Sequence, residues 1–163
     1  RWLQDNGLSV AECLDILDAE RTIYAQPRSD LLAYVDPLGR LCERISADLL
    51  GRRLGHVAEH GTIGYCLGQL LGLVDGLQDL RQDISADKPN PYVAAGIATP
   101  PIGGVGNRGS LSEVVRPYFI TAVESLQIAV EAVLAPGRGE AIRGVAYGGL
   151  PARIDRVFRN VEG

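Results

Sequence analysis

Apolar residues recur at helical intervals along nearly the whole chain. Ser9-Val10-Ala11-Glu12 has the Ser-x-x-Glu form of a capping box, and Val10, Cys13, Leu14, Leu17 and Tyr24 follow at i, i+3 and i+4 spacing. The pattern predicts a first helix to about Gln26, ahead of Pro27, with that stripe buried. Asp36 followed by Pro37 supplies an acidic cap and a proline at the first helical position. A second helix is therefore expected from there to about Leu54, with Leu38, Cys42, Ile45, Leu49 and Leu50 inward and its end weakened by Gly51 and Gly55. A third helix should run from about Thr62 to Ala86, stopped by Pro89 and Pro91. Residues 96–109 read as a glycine- and proline-rich loop. Ser110-Leu111-Ser112-Glu113 repeats the capping signal and opens a fourth helix, with Pro117 near its start and Pro136-Gly137 at its end. Two shorter pieces, Arg138 to Tyr147 and Pro151 to Phe158, flank Gly148-Gly149. No alternating strand pattern appears, so the expected fold is an all-α helical bundle forming one domain, or the C-terminal portion of a larger one.

Composition narrows the class. The 163 residues are 46% hydrophobic and 22% charged, enough apolar material for a real core. Sixteen basic against twenty acidic residues leave a net charge of −4 and no basic field, so no nucleic-acid partner is expected. The longest weakly polar run, Gly61 to Val74, falls short of the ~20 residues a transmembrane helix needs and runs into Asp75. Cys13, Cys42 and Cys66 sit in apolar periodic segments and read as reduced core thiols. With no signal-peptide pattern at Arg1, a cytoplasmic location is expected. Methionine is absent, even at position 1, so the chain reads as a piece of a longer product whose missing N-terminal segment or partner chain completes the bundle.

The third helix carries the chemistry. Asp75, Asp79 and Asp83 recur every four residues, each about 40° around and ~6 Å along the helix from the last. Read backwards, the same line is Leu71, Leu67 and Ile63. Like charges at i, i+4 cost roughly 0.2–0.5 kcal/mol per pair, and a hard divalent cation such as Mg²⁺, which prefers carboxylate and water oxygens, would offset that. A solvated acidic face is the plainer reading, with Arg81 as a partial neutralising partner. Beside the acids run Gly64, Gly68, Gly72 and Gly76, at about 1 kcal/mol each relative to alanine. Such a ridge predicts that another helix or a ligand approaches the backbone closely.

The stretch from Leu67 to Asp83 resembles the second metal-binding helix of the squalene and phytoene synthases, with acids at the positions of Asp75, Asp79 and Asp83. The following Asp87-Lys88-Pro89-Asn90-Pro91-Tyr92 is similar to their basic, tyrosine-containing turn. More broadly, residues 10–158, including Ala141 to Pro151, resemble the C-terminal half of a bacterial family of all-helical proteins related to those synthases. The resemblance implies a class I isoprenoid synthase-like fold and ionisation of a prenyl diphosphate by Mg²⁺ held between two acidic motifs, a transferase chemistry of terpene biosynthesis. It implies that Asp79 and Asp83, with Asp75 assisting, hold Mg²⁺ at a pocket walled by Leu71 and Leu67, with Lys88 and Tyr92 contacting the diphosphate. The first acidic motif is not matched here: Asp15, Asp18 and Glu20 lie opposite the apolar stripe of their helix and are expected in solvent.

Other motifs carry less. His56-Val57-Ala58-Glu59-His60 spells H-x-x-E-H, but it falls at a glycine-flanked helix end and reads as exposed rather than as a zinc site. Gly104 to Gly109 fits G-x-G-x-x-G without a preceding strand; it reads as a loop in which Arg108 could reach a phosphate. Cys66 has no sequence neighbour to activate it and reads as packing. Arg138, Arg143, Arg153, Arg156 and Arg159 make the C-terminal end basic and read mainly as solvated. The alternative to a synthase is a non-catalytic helical interaction or assembly module derived from that fold, in which the three aspartates pair with arginines or face water.

Overall fold

Helix starts are set by local caps and by which apolar residues find a partner. The computed structural model describes residues 9–25, 30–51, 57–98, 110–134 and 140–162, and among them every regular element is helical. The order is α1 (Val10–Ile23), α2 (Leu31–Ser46, continued by a π-helical turn Ala47–Gly51), α3 (Val57–Ser85), the short α4 (Pro91–Ala94), α5 (Leu111–Val133) and α6 (Glu140–Gly144). A second π-helical turn (Val145–Gly149) leads directly into α7 (Leu150–Glu162). The all-α expectation holds. No described helix is long and apolar enough to cross a membrane.

Both capping boxes read from sequence mark helix starts. Ser9 Oγ accepts from the Glu12 N–H, and Ser110 and Glu113 satisfy each other's backbone donors in the full reciprocal form. The stripe assigned to α1 is corrected: Val10, Leu14 and Leu17 face outward, with Leu14 55% exposed. Of that stripe Cys13 and Tyr24 are half-buried as expected, joined by Ile16, and the helix is tied to α2 by an Arg44–Glu12 ion pair of 2.9 Å and a Tyr24–Tyr34 ring contact at 5.2 Å.

The second helix is corrected as well. It begins at Leu31, capped by Asp30, whose carboxylate accepts from the Leu32 N–H; Pro37 lies inside it. An interior proline costs about 3 kcal/mol. Burying Leu31 and Val35 returns about 1.5–3 kcal/mol each, and Tyr34 is buried beside them, so burial wins. Of the inner face expected for this helix, Leu38, Cys42, Ile45 and Leu49 are half-buried and Leu50 is exposed; Leu54 and Gly55 lie outside the described residues.

Central to the bundle is α3, 29 residues and roughly 44 Å long. Ile63, Cys66, Leu70, Leu73, Leu77 and Leu80 alternate in steps of three and four and form one buried seam. They share the core with Val115, Phe119, Ala122, Leu126 and Ala129 of α5 and with Ile154, Val157 and Phe158 of α7. Phe119 meets Phe158 edge-on at 5.1 Å, and the Arg116 guanidinium lies 4.7 Å over the Phe158 ring. Cys13, Cys42 and Cys66 form no disulfide; burial pushes the Cys42 and Cys66 thiols up.

The glycine ridge seats α2 and α4 on α3. A Cβ at Gly64 would overlap the Cys42 carbonyl and Ser46, and one at Gly68 would lie 2.8 Å from Gly39 Cα. At Gly72 it would meet Val35 at 2.9 Å, and at Gly76 it would meet Pro91 at 2.6 Å. The close approach expected from sequence is therefore present, made mostly by α2.

Candidate functional site

Because Gly72 and Gly76 admit neighbours without side chains of their own, the C-terminal third of α3 forms one wall of a pocket of about 190 Å³. Asp75, Asp79 and Asp83 all line it. The facing wall is Tyr34, Val35 and Leu38 of α2, with Tyr24 at the end of α1 and Pro91 of α4. None of the described lining residues is basic. Asp75 and Asp79 are exposed and Asp83 is half-buried.

The turn that closes the pocket is built locally. Asp87, at φ 52°, sits in the left-handed region just past the end of α3; its N–H donates to the Ile84 carbonyl, and the Lys88 N–H donates to that of Asp83. Together these are the two bonds of a Schellman motif. Asn90 then caps α4, its side-chain oxygen accepting from the Tyr92 N–H at 3.0 Å. Its amide nitrogen donates to the Gly76 carbonyl at 2.8 Å and to Asp83 Oδ2 at 2.9 Å.

The remaining site residues fall elsewhere. Leu67 lines a different, almost wholly apolar groove of about 260 Å³ with Ile63, Leu126, Val130 and Ile142, and Leu71 is 48% exposed. Neither walls the acidic pocket. The 40° drift per four residues accumulates to about 120° between Leu67 and Asp79, so the line read as one stripe winds around the helix. Lys88 is exposed just beyond the helix. Tyr92 is fully buried, and its hydroxyl donates to the Leu73 carbonyl at 2.7 Å, so it anchors α4 and offers nothing to a diphosphate. Burial raises the Tyr92 hydroxyl well above its ordinary value.

A second polar group escaped the sequence reading. Asp36 accepts from Arg40 at 2.7 Å and from the Tyr65 hydroxyl at 2.6 Å, and Gln69 donates to that hydroxyl at 3.0 Å. Burial, reinforced by the Asp36 bond, pushes Tyr65 up to about 12. The i, i+4 pairs Asp36–Arg40 and Tyr65–Gln69 were visible as spacings; their meeting across two helices was not.

Among the other candidates, His60 is buried rather than exposed, while His56, Gly104 to Gly109, Arg108 and Arg138 lie outside the described residues. Arg143 makes a two-pronged bond to Glu131, 2.9 Å on each arm, and donates to the Leu134 carbonyl beyond α5. The Arg143 bond holds the Glu131 carboxyl below its ordinary value. Arg153, Arg156 and Arg159 are exposed, as are Asp15 and Asp18; the side chain of Glu20 lies outside the described residues.

Hard oxygen donors with no basic lining side chain suit a divalent cation better than an anion. Among the described residues no three His, Cys, Asp or Glu side chains converge as ligands of one ion. Compared with known family models, curated proteins and solved structures, the chain shows no match.

Proposed function

We propose that the acidic pocket binds the diphosphate end of a prenyl diphosphate through Mg²⁺, as in a class I isoprenoid synthase. The observation that carries this reading is that Asp75, Asp79 and Asp83 open into one pocket whose opposite wall is Tyr34, Val35 and Leu38. Of the three acids only Asp83 stands in the last turn of α3, where the negative end of the helix dipole disfavours an uncompensated carboxylate.

In this reading Asp75 and Asp79 hold the cation from the exposed side of the pocket. Bound there, Mg²⁺ supplies neutralisation of the charge that develops on a diphosphate leaving group. Val35, Leu38 and the two tyrosine rings exclude water from the carbon end of the scissile bond. At about 30 Å³ per water, 190 Å³ corresponds to roughly six waters, which suits a headgroup and not a long hydrocarbon. In this reading the prenyl tail extends beyond these walls.

Calorimetry of the full-length protein with C10–C20 prenyl diphosphates and Mg²⁺ tests the reading. Mg²⁺-dependent binding that Asp79→Asn weakens tenfold or more, at unchanged helix content, is the expected result, taking about 1.4 kcal/mol per tenfold for a lost charged ligand. Equal affinity for wild type and variant removes the metal-site reading.

A helical assembly module is the second reading, favoured by the outward stripe Val10, Leu14 and Leu17 on α1. It expects a multimer by light scattering that Leu14→Asp reduces to monomer, with no Mg²⁺-dependent ligand binding.

A further inference from the structure

Residues 140–149, which are α6 and the π-helical turn after it, leave a gap between themselves and the central helix. Ala146 is the buried residue of this segment. Its hydrogen bonds to the bundle run to α5 and the end of that helix. Arg143 donates to Glu131 and to the Leu134 carbonyl, and Gln127 donates to the Ala146 carbonyl at 3.2 Å. Towards α3 the segment offers Ile142 and Val145, which line the 260 Å³ groove with Ile63 and Leu67 yet stay 41% and 51% exposed. The segment is tied along one edge and loose along the other.

Two features loosen its backbone. A Cβ at Gly144 or Gly148 would meet nothing within 4 Å, so packing does not call for glycine there as it does along α3, and glycine is a poor helix former. The π-helical register at Val145–Gly149 is a rare, wide form of helix, found mostly as single turns and frequently at functional sites.

The lining side chains define what fits. All are aliphatic, with Leu126 and Val130 of α5 completing the walls. A peptide would bring backbone N–H and C=O groups that these side chains cannot satisfy. Two turns of a partner helix, a cylinder ~10 Å across, fill roughly 850 Å³ and exceed the space. A dry apolar cavity of about 150 Å³ takes benzene, so this groove has room for a ring with a short alkyl branch.

We propose that residues 140–149 form a strap, hinged along α5, that opens from α3 to admit a small uncharged hydrocarbon or aromatic molecule and closes Ile142 and Val145 over it. The groove shares no described lining residue with the acidic pocket and does not rest on the diphosphate reading. Closing over a guest takes two half-exposed aliphatic side chains out of water, which drives the closure.

Hydrogen exchange of the full chain, with toluene as the probe, tests the proposal. Amides of 140–149 should exchange with little urea dependence, because the opening strap exposes little surface. Those from Leu70 to Leu80 should follow the steep dependence of global unfolding, and the same steep dependence in both overturns the strap. Toluene at twice its dissociation constant should slow the strap amides threefold, since a guest that binds the closed form protects by one plus its concentration over that constant. No slowing up to aqueous saturation overturns the site. Phenol, whose hydroxyl finds no partner in the lining, should need at least ten times the concentration for the same effect; equal protection overturns the apolar class. Leu67→Phe fills the groove and should abolish the toluene effect. Ala141→Phe, which fills it from an exposed strap position, serves where Leu67→Phe does not fold. Undiminished protection in the filled variant overturns the proposal. Arg143→Ala should speed exchange of the strap amides about tenfold, and unchanged exchange overturns the hinge along α5.

Discussion

Gly68→Ala is the sharpest perturbation of the seam between α2 and α3. In an open helix interior the added methyl would stabilise by about 1 kcal/mol, because glycine is the poorer helix former. At Gly68 it meets the Leu38 carbonyl, Gly39 Cα at 2.8 Å and Cys42 Cβ at 2.9 Å. Two of these are backbone, and no rotamer change moves them. Ordinary contact begins at 3.4 Å, so the helices must part by about 0.6 Å at Gly39, and a gap of 0.5–1 Å forfeits a quarter to a half of each dispersion contact across it. Overpacking of this kind costs about 1–3 kcal/mol, or more where backbone is the obstacle, which exceeds the propensity gain. The net expectation is a loss of about 2 kcal/mol, a drop in Tm of about 4–8 °C for a chain this size. Gly72→Ala, which meets the Val35 side chain, should lose less, and Gly148→Ala, with nothing within 4 Å, should lose nothing. Thermal and urea unfolding followed by far-UV circular dichroism gives the ranking. Gly68→Ala as stable as wild type would refute the close approach of the two helices.

Asp87 holds the left-handed position that ends α3, so Asp87→Gly should stabilise by about 0.5–1 kcal/mol, read as a raised urea midpoint at unchanged slope. Tyr65 should titrate near 12 by its ultraviolet absorbance, and Asp36→Asn should bring that midpoint down. The folded state holds this proton more tightly than the unfolded one, whose tyrosine titrates at 10.0. Its contribution to stability is therefore full below pH 10.0 and is lost as pH rises to about 12, a decline that Asp36→Asn should shorten.

The parts legible in the sequence were those decided within one or two helical turns. Ser9 and Ser110 cap the helices they were expected to cap, because the bond partner of each lies three residues away. The sharing of one pocket by Asp75, Asp79 and Asp83 was visible for the same reason: they ride one helix. Asp36 with Pro37 misled because a good local start signal lost to the burial of Leu31, Tyr34 and Val35, which only the packed bundle determines. The walls of the pocket were misread because a four-residue repeat holds one face only over short spans, so Leu67 and Asp79 diverge. Asn90 and Tyr92 find their partners on α3 from 14 and 19 residues away, and no periodicity announces that.

With one flank of α3 filled by its heptad seam and another by the glycine ridge, most of that helix is spoken for by packing. Exposed positions in its second half are limited to Leu71, Asp75, Gln78, Asp79, Arg81, Gln82 and Ser85. In a saturation mutagenesis experiment selected for folding alone, those positions should accept nearly any residue, while 64, 68, 72 and 76 should return only glycine or, at Gly72, alanine. Selection for ligand binding should then change the tolerance of Asp75 and Asp79 and leave the glycine profile untouched. The central helix thus carries its packing glycines and its exposed carboxylates on different positions, so the charge at Asp75 and Asp79 can change without disturbing the bundle.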